Sequence, residues 1–209
     1  MTDKQAKLRQ NVVIEGAQDE AVGAQAIEPE FANRPDARAS TPMQIRPAVA
    51  IEPELQRRIE QFLFWQSELL DSKQWQQWID LFADDGVYWM PVTPDQTEWE
   101  GSPSIFAEDK PMMEIRMGRI SHPMAWSQAP AWATTHLVGN VVVEAADPQQ
   151  LVVRSRFQMM ELRRDMVRHF GGTYRHTLVR DGDSFRIRLQ RVDLFNGQAP
   201  YDYVLQAWV

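Results

Sequence analysis

The chain has 209 residues, 44% of them hydrophobic, and a formal charge of −7. That length holds one domain with an appendage or two small domains, and the acidic balance argues against a phosphate backbone as partner. With no cysteine, the chain has no disulfide, no zinc–thiolate site, no thiol nucleophile and no iron–sulfur cluster held by its own thiolates.

The first 50 residues differ from the rest. "EGAQDEAVGAQAIEPEFANRPDARASTPMQIRP" is rich in Ala, Gln, Glu and Pro, with few large apolar side chains and no sustained period. Such a segment cannot offset its own ordering entropy. It is expected to be an extended N-terminal arm or a disordered tail over 1–50, ahead of a single domain over 51–209. The start, "MTDKQAKLRQ", lacks the apolar core of a secretory signal. No stretch approaches the roughly 20 apolar residues that cross a bilayer. The expected location is therefore soluble and cytoplasmic.

Regular structure is predicted from "IEPELQRRIEQFLFWQSELLDS" onward. Pro53 suits a first helical turn, and Leu55, Ile59, Phe62, Leu63, Leu69 and Leu70 recur at helical spacing. Asp71 is expected to cap a second helix, with Gln74 three residues on as in a capping box. "KQWQQWIDLFA" puts Trp75, Trp78, Ile79 and Phe82 on one face, and Gly86 is expected to end that helix as a left-handed residue. "VYWMPV" reads as a strand and "TPDQTEWEGSPSIFAEDKP" as a long loop. "MMEIRMGRI" reads as a short helix capped by Asp109, with Met113, Met117 and Ile120 inward. A second loop, "SHPMAWSQAPAW", follows.

The remainder is strand-like. "WATTHLVGNVVVEA" runs to a turn at "DPQQ". "LVVRSRFQMMEL" sets Leu151, Val153, Phe157 and Met159 against Arg154, Arg156 and Gln158, which is a sheet with one wet face. "GTYRHTLVR" and "SFRIRLQRV" flank "DGD", a strong hairpin signal. Phe185, Ile187 and Leu189 are expected on one face, and Arg186, Arg188 and Gln190 on the other. "DYVLQAWV" reads as a last strand. Helices followed by about four long antiparallel strands imply an α+β fold. A strongly curved sheet wrapped around the helices, a cone with room for a pocket, buries both.

Few residues offer chemistry. Asp84 and Asp85, in "FADDGVYWMP", are either an acid–base pair at the mouth of the cone or the turn that launches a strand. Neighbours on a strand point apart, and Asp favours turns because its side chain bonds nearby backbone; the turn reading is the better of the two. The four histidines, His122, His136, His169 and His176, show no HxD, HxE or HExxH spacing for a metal site. "FGGTY" lacks the pattern of a nucleotide loop and is expected to be a bulge or tight turn. Arginines on the strand faces, among them Arg154, Arg156, Arg186 and Arg188, suit a solvated face or a subunit contact.

Several blocks together carry a resemblance. "QFLFWQSELLDSKQWQQWIDLFADDGVYWMPV", then "IFAEDKPMMEIRMGRI" with Asp109, Lys110, Arg116 and Arg119, then "THLVGNVVVE" with His136, Leu137, Asn140 and Val141, then "VRSRFQMMELRRD" occur in order. This sequence resembles the small (beta) subunit of Rieske-type aromatic-ring-hydroxylating dioxygenases over roughly residues 54–209. The arm exceeds that family's usual short N-terminus, and Gly139 stands where the family usually has Ser. The resemblance implies a cystatin-like cone without catalytic, cofactor-binding or metal-binding residues of its own. It implies a large (alpha) subunit as partner, carrying a Rieske [2Fe–2S] cluster and a mononuclear non-haem iron. Three large and three small subunits would assemble, the small ones as a trimer, with electrons from NADH through a reductase or ferredoxin. The competing readings are a stand-alone isomerase or dehydratase using Asp85, Tyr88 and His136 for acid–base work, and a cone that binds a small ligand without turnover.

Overall fold

The fold is known from a computed structural model that describes residues 46–128, 132–195, 197, 205, 208 and 209. Helices α1 (Pro53–Asp71) and α2 (Trp75–Asp80) come first, then strands β1 (Phe82–Pro91) and β2 (Ser104–Asp109) and helix α3 (Lys110–Ile120). Strands β3 (Trp132–Ala146), β4 (Gln150–Arg163), β5 (Met166–Asp181) and β6 (Ser184–Leu194) follow. All six strands form one sheet in the order β2-β1-β6-β5-β4-β3. Every pair is antiparallel except β1 with β6, which run parallel. The α+β expectation holds, with a mixed sheet of more strands than the sequence pattern suggested.

Helix α1 buries Ile59, Phe62, Leu63, Gln66, Leu69 and Leu70, the stripe predicted from spacing with Leu55 only partly buried and one glutamine added. It packs against β3 and touches β6. Asp71 does not cap α2; it is the last residue of α1. The helix closes instead as a Schellman turn. The Gln74 N–H donates to Leu69 O (2.8 Å), the Lys73 N–H donates to Leu70 O (3.0 Å), and Lys73 takes the left-handed position at φ 56°. A lysine where glycine is usual hides this ending from a sequence reading.

Gly86 likewise does not end a helix. It lies within β1, where the pairing with β6 skips between Phe82 and Val87. A Cβ there would meet Ile187 O at 2.7 Å. The predicted loop ahead of α3 contains β2, whose Phe106 pairs with Met90. Asp109 caps α3 as expected, accepting from the Met112 N–H at 3.0 Å. The β5–β6 hairpin turns through Gly182 at φ 56°.

Two strand expectations need correction. Arg188 is an extra residue in β6: Leu178 pairs with Ile187, but Thr177 pairs with Leu189. One added residue flips the side-chain alternation, so Gln190 is buried and Leu189 only partly so. "FGGTY" makes no bulge, because β4 and β5 pair without a shift from Gln150–Val179 to Arg163–Met166. Gly172 is there for space: a Cβ would lie 2.1 Å from Asp193 O and 3.0 Å from the Phe157 ring. That ring stacks on Tyr174 at 4.1 Å. Gly172→Ala is therefore expected to destabilise the fold by about 3 kcal/mol or more, read as a lower denaturant midpoint at unchanged slope.

Of the predicted arm, only residues 46–50 are described, and they are exposed. Val49 donates its N–H to Val143 O at 2.9 Å. The predicted strand "DYVLQAWV" lies mostly outside the described residues; of it only Leu205, Trp208 and Val209 are described, and all three are buried.

Candidate functional site

The acidic pair sits in the irregular start of β1, in water. Asp84 lies 4.0 Å from the Lys110 ammonium. Asp85 pairs with Arg188 at 3.0 Å, both side chains well exposed. Tyr88, three residues on, is fully buried. Its hydroxyl contacts both the N–H and the C=O of Val209, at 3.2 and 3.3 Å, and burial pushes its pKa up. Asp85 and Tyr88 thus face different media.

His136 lies elsewhere again. Its side chain is fully buried in β3, and Nδ1 is 2.6 Å from Asp71 Oδ1. Asp71 Oδ2 accepts the His136 backbone N–H (2.8 Å), and Oδ1 also accepts from the Thr134 hydroxyl (2.9 Å). Burial raises the Asp71 pKa, but the bonds from His136 and Thr134 outweigh it and hold the carboxyl below its usual value. The other ring nitrogen, Nε2, is buried without a partner. Nδ1, facing the carboxylate, is the ring nitrogen placed to donate. With no exposed side-chain atom, this ring has no contact with solvent through which to hand on a proton. The pair links the end of α1 to β3.

Among the described residues an aromatic cluster packs on the inner face of the sheet. Trp78 contacts Phe82 and Trp208 at 4.9 Å each and Tyr88 at 5.7 Å. Trp208 Nε1–H donates to Glu108 (3.0 Å), which also pairs with Arg116. Further along the same face, Gln66 donates to Gln190 at 2.6 Å, and Gln190 lies opposite His176. His176 is wholly buried with both ring nitrogens unpartnered, and burial lowers its pKa to about 3. Among the described residues no three His, Asp or Glu side chains form a group fit for a metal ion.

The outer face of β3–β5 differs. Glu144 is clamped there by Arg154 (2.7 Å) and Arg175 (2.7 Å). Burial raises its pKa, yet the two guanidinium groups hold it below the usual range. Towards the other end of β4, Leu162 lies between Ala133 and Val167 and Met160 between Thr135 and His169. Leu162, Val167 and Met160 are all exposed, and Leu137 is 71% exposed. With Phe195, 95% exposed, Leu137 and Met160 line an open cleft of about 1010 Å³. Trp126, in the single 3-10 turn after α3, is 85% exposed. Large apolar side chains grouped in water mark contact surfaces more often than chance exposure.

Exposed apolar side chains grouped on one face of the sheet fit a subunit contact. Comparison with known proteins decides the family. The family described as "Ring hydroxylating beta subunit" matches residues 66–199. The chain belongs to this family. The benzene 1,2-dioxygenase subunit beta of Pseudomonas putida is 32% identical to this beta-subunit chain over 147 residues, covering 66% of the chain and 79% of the relative. The beta subunit of the benzoate 1,2-dioxygenase of Burkholderia mallei superposes with a TM-score of 0.59 at 28% identity, over 75% of this chain and 99% of that one. A Novosphingobium aromaticivorans protein assigned as a scytalone dehydratase shares the fold alone, at TM-score 0.54 and 16% identity over 74% of this chain and 91% of that one. The cystatin-like cone expected from the resemblance is therefore the fold of this beta subunit.

The contact between Asp71 and His136 was missed in sequence because the two lie 65 positions apart and Asp71 passes for a helix cap. Both belong to the blocks that carry the family resemblance, which was the available hint. Asp71→Ala is expected to cost about 3 kcal/mol, since it strands a buried histidine and a backbone N–H. Asp85→Asn is expected to change stability by less than about 0.5 kcal/mol. Paired urea titrations of the two variants check this contrast.

Proposed function

We propose that this chain is the non-catalytic small subunit of a multicomponent aromatic-ring-hydroxylating dioxygenase. The observation that carries the reading is the family match over 66–199, which runs from within α1 past the end of β6. The partner is a large subunit holding a Rieske [2Fe–2S] cluster and a mononuclear iron. Assignment of these groups to the partner is supported by this chain's lack of cysteine and by the absence of a three-ligand cluster among its described residues. Three small subunits support three large ones, and a reductase or ferredoxin delivers electrons from NADH. The outer face of β3–β5 and the exposed Trp126 are the contact surfaces of this assembly.

Co-expression with the large subunit tests the proposal. Met160→Arg places a charge on the exposed apolar face. It is expected to reduce the complex mass seen by light scattering while leaving the melting temperature of the isolated chain within a few degrees. An undiminished complex would remove this face from the interface. Asp85→Asn in the same complex is expected to leave turnover of an aromatic substrate unchanged, and a collapse of turnover would revive the stand-alone catalytic reading.

A further inference from the structure

Strand β3 is the last strand of the sheet and, at 15 residues, one of its longest. A terminal strand presents a row of unpaired N–H and C=O groups, a template for pairing with another chain. Here four groups of that row are bonded from outside the sheet. Trp132 O accepts from Lys73 Nζ at 2.6 Å. The His136 N–H donates to Asp71 at 2.8 Å. Val141 O accepts from Gln56 Nε2 at 3.2 Å, and Val143 O accepts from the Val49 N–H at 2.9 Å.

The numbering of these residues follows the strand. On an antiparallel edge every second residue turns its main-chain groups outward. Trp132 and His136 have one parity and Val141 and Val143 the other. Between them the pairing with β4 jumps from Gly139 to Val142, and Asn140 sits at φ 51°. That irregularity shifts the alternation by one, so all four groups lie on the same edge. Lys73 adds a further sign of purpose. It holds a left-handed conformation that L side chains disfavour, and from there its ammonium reaches the Trp132 carbonyl and lies 4.2 Å from the Trp132 ring centre.

We propose that Val49, Gln56, Asp71 and Lys73 act as an edge guard that keeps β3 from pairing with β3 of a second copy. The occupant is another copy of this chain, because two identical edges pair antiparallel about a twofold axis and satisfy each other's main-chain groups. The exposed Leu137 on this strand makes the unguarded edge long and apolar, the kind that aggregates. On this account Asp71 and His136 serve assembly rather than chemistry.

The test combines Val49→Pro, which deletes one donor, with Gln56→Ala in the full chain; neither touches Asp71 or His136. With far-UV circular dichroism unchanged, light scattering is expected to show concentration-dependent association of about twofold or more in mass over the unaltered chain. Adding Leu137→Lys, a charge on the edge strand, is expected to reverse it. A variant that keeps the parent's mass at every concentration overturns the proposal, and so does association that persists with Leu137→Lys. If the variant unfolds, amide exchange on the unaltered chain decides: the Val49 and His136 amides should be protected, and random-coil exchange at both sinks the guard.

Discussion

Lowering the pH from about 6.5 to about 3 is expected to remove on the order of 5 kcal/mol of stability through His176 alone. The folded chain holds this ring neutral, with a pKa near 3, because burial disfavours its charge. The unfolded chain binds a proton at the ordinary value of 6.5. Between these two values the unfolded state carries the extra proton, so stability falls as pH falls, by about 1.4 kcal/mol per pH unit. Above pH ~6.5 the contribution is complete. Asp71 and Glu144 act in the same direction but in a lower window. Their folded pKa values lie below the model-compound values of 3.8 and 4.5, so their contribution is lost only as pH drops under that range. In the interval from about 6.5 to 4.5 the contribution of His176 is separated from those of Asp71 and Glu144. His176→Leu also removes two unpartnered buried nitrogens, a change that is neutral or stabilising when the shape is kept. Urea midpoints measured across that interval should fall more steeply with falling pH for the unaltered chain than for His176→Leu. Equal slopes would place the proton elsewhere.

Trp208→Ala is expected to cost about 3–5 kcal/mol, the range for an aromatic core side chain. Trp208 is 1% exposed, lies against Trp78 at 4.9 Å, and is joined by its indole N–H to the buried Glu108. Truncation opens a cavity beside Trp78 and removes one of Glu108's two partners. Trp208→Phe keeps most of the ring but loses the hydrogen bond, so its cost should be about 1–3 kcal/mol. The difference between the two variants in chemical denaturation separates packing from hydrogen bonding. A Trp208→Ala variant as stable as the parent would show that this segment does not close the cone.

The local periods were the legible part of this fold. The apolar stripe of α1, the Asp109 cap of α3 and the Asp-Gly hairpin are short-range signals, and each appears where the pattern puts it. What failed was long-range or masked by an unusual residue. Lys73 ends α1 in a position that glycine normally fills, so Asp71 read as the start of the next helix. The extra Arg188 in β6 is invisible to a strict two-residue alternation, so Gln190 was placed in water although it is buried. Gly172 is glycine because the Asp193 backbone and the Phe157 ring come close, a reason no local pattern carries. For the candidate site, the sequence favoured a turn at Asp84 and Asp85, whereas both lie exposed within the irregular start of β1. Nor could the sequence pair Asp71 with His136, because sheet topology brings them together.

The central claim is that this chain works as one subunit of an iron-dependent dioxygenase. Mass and metal content of the complex recovered from the native cell, through a tag on this chain, test it most directly. A larger co-purifying chain with iron and acid-labile sulfide is the predicted result. A metal-free assembly of this chain alone would contradict it.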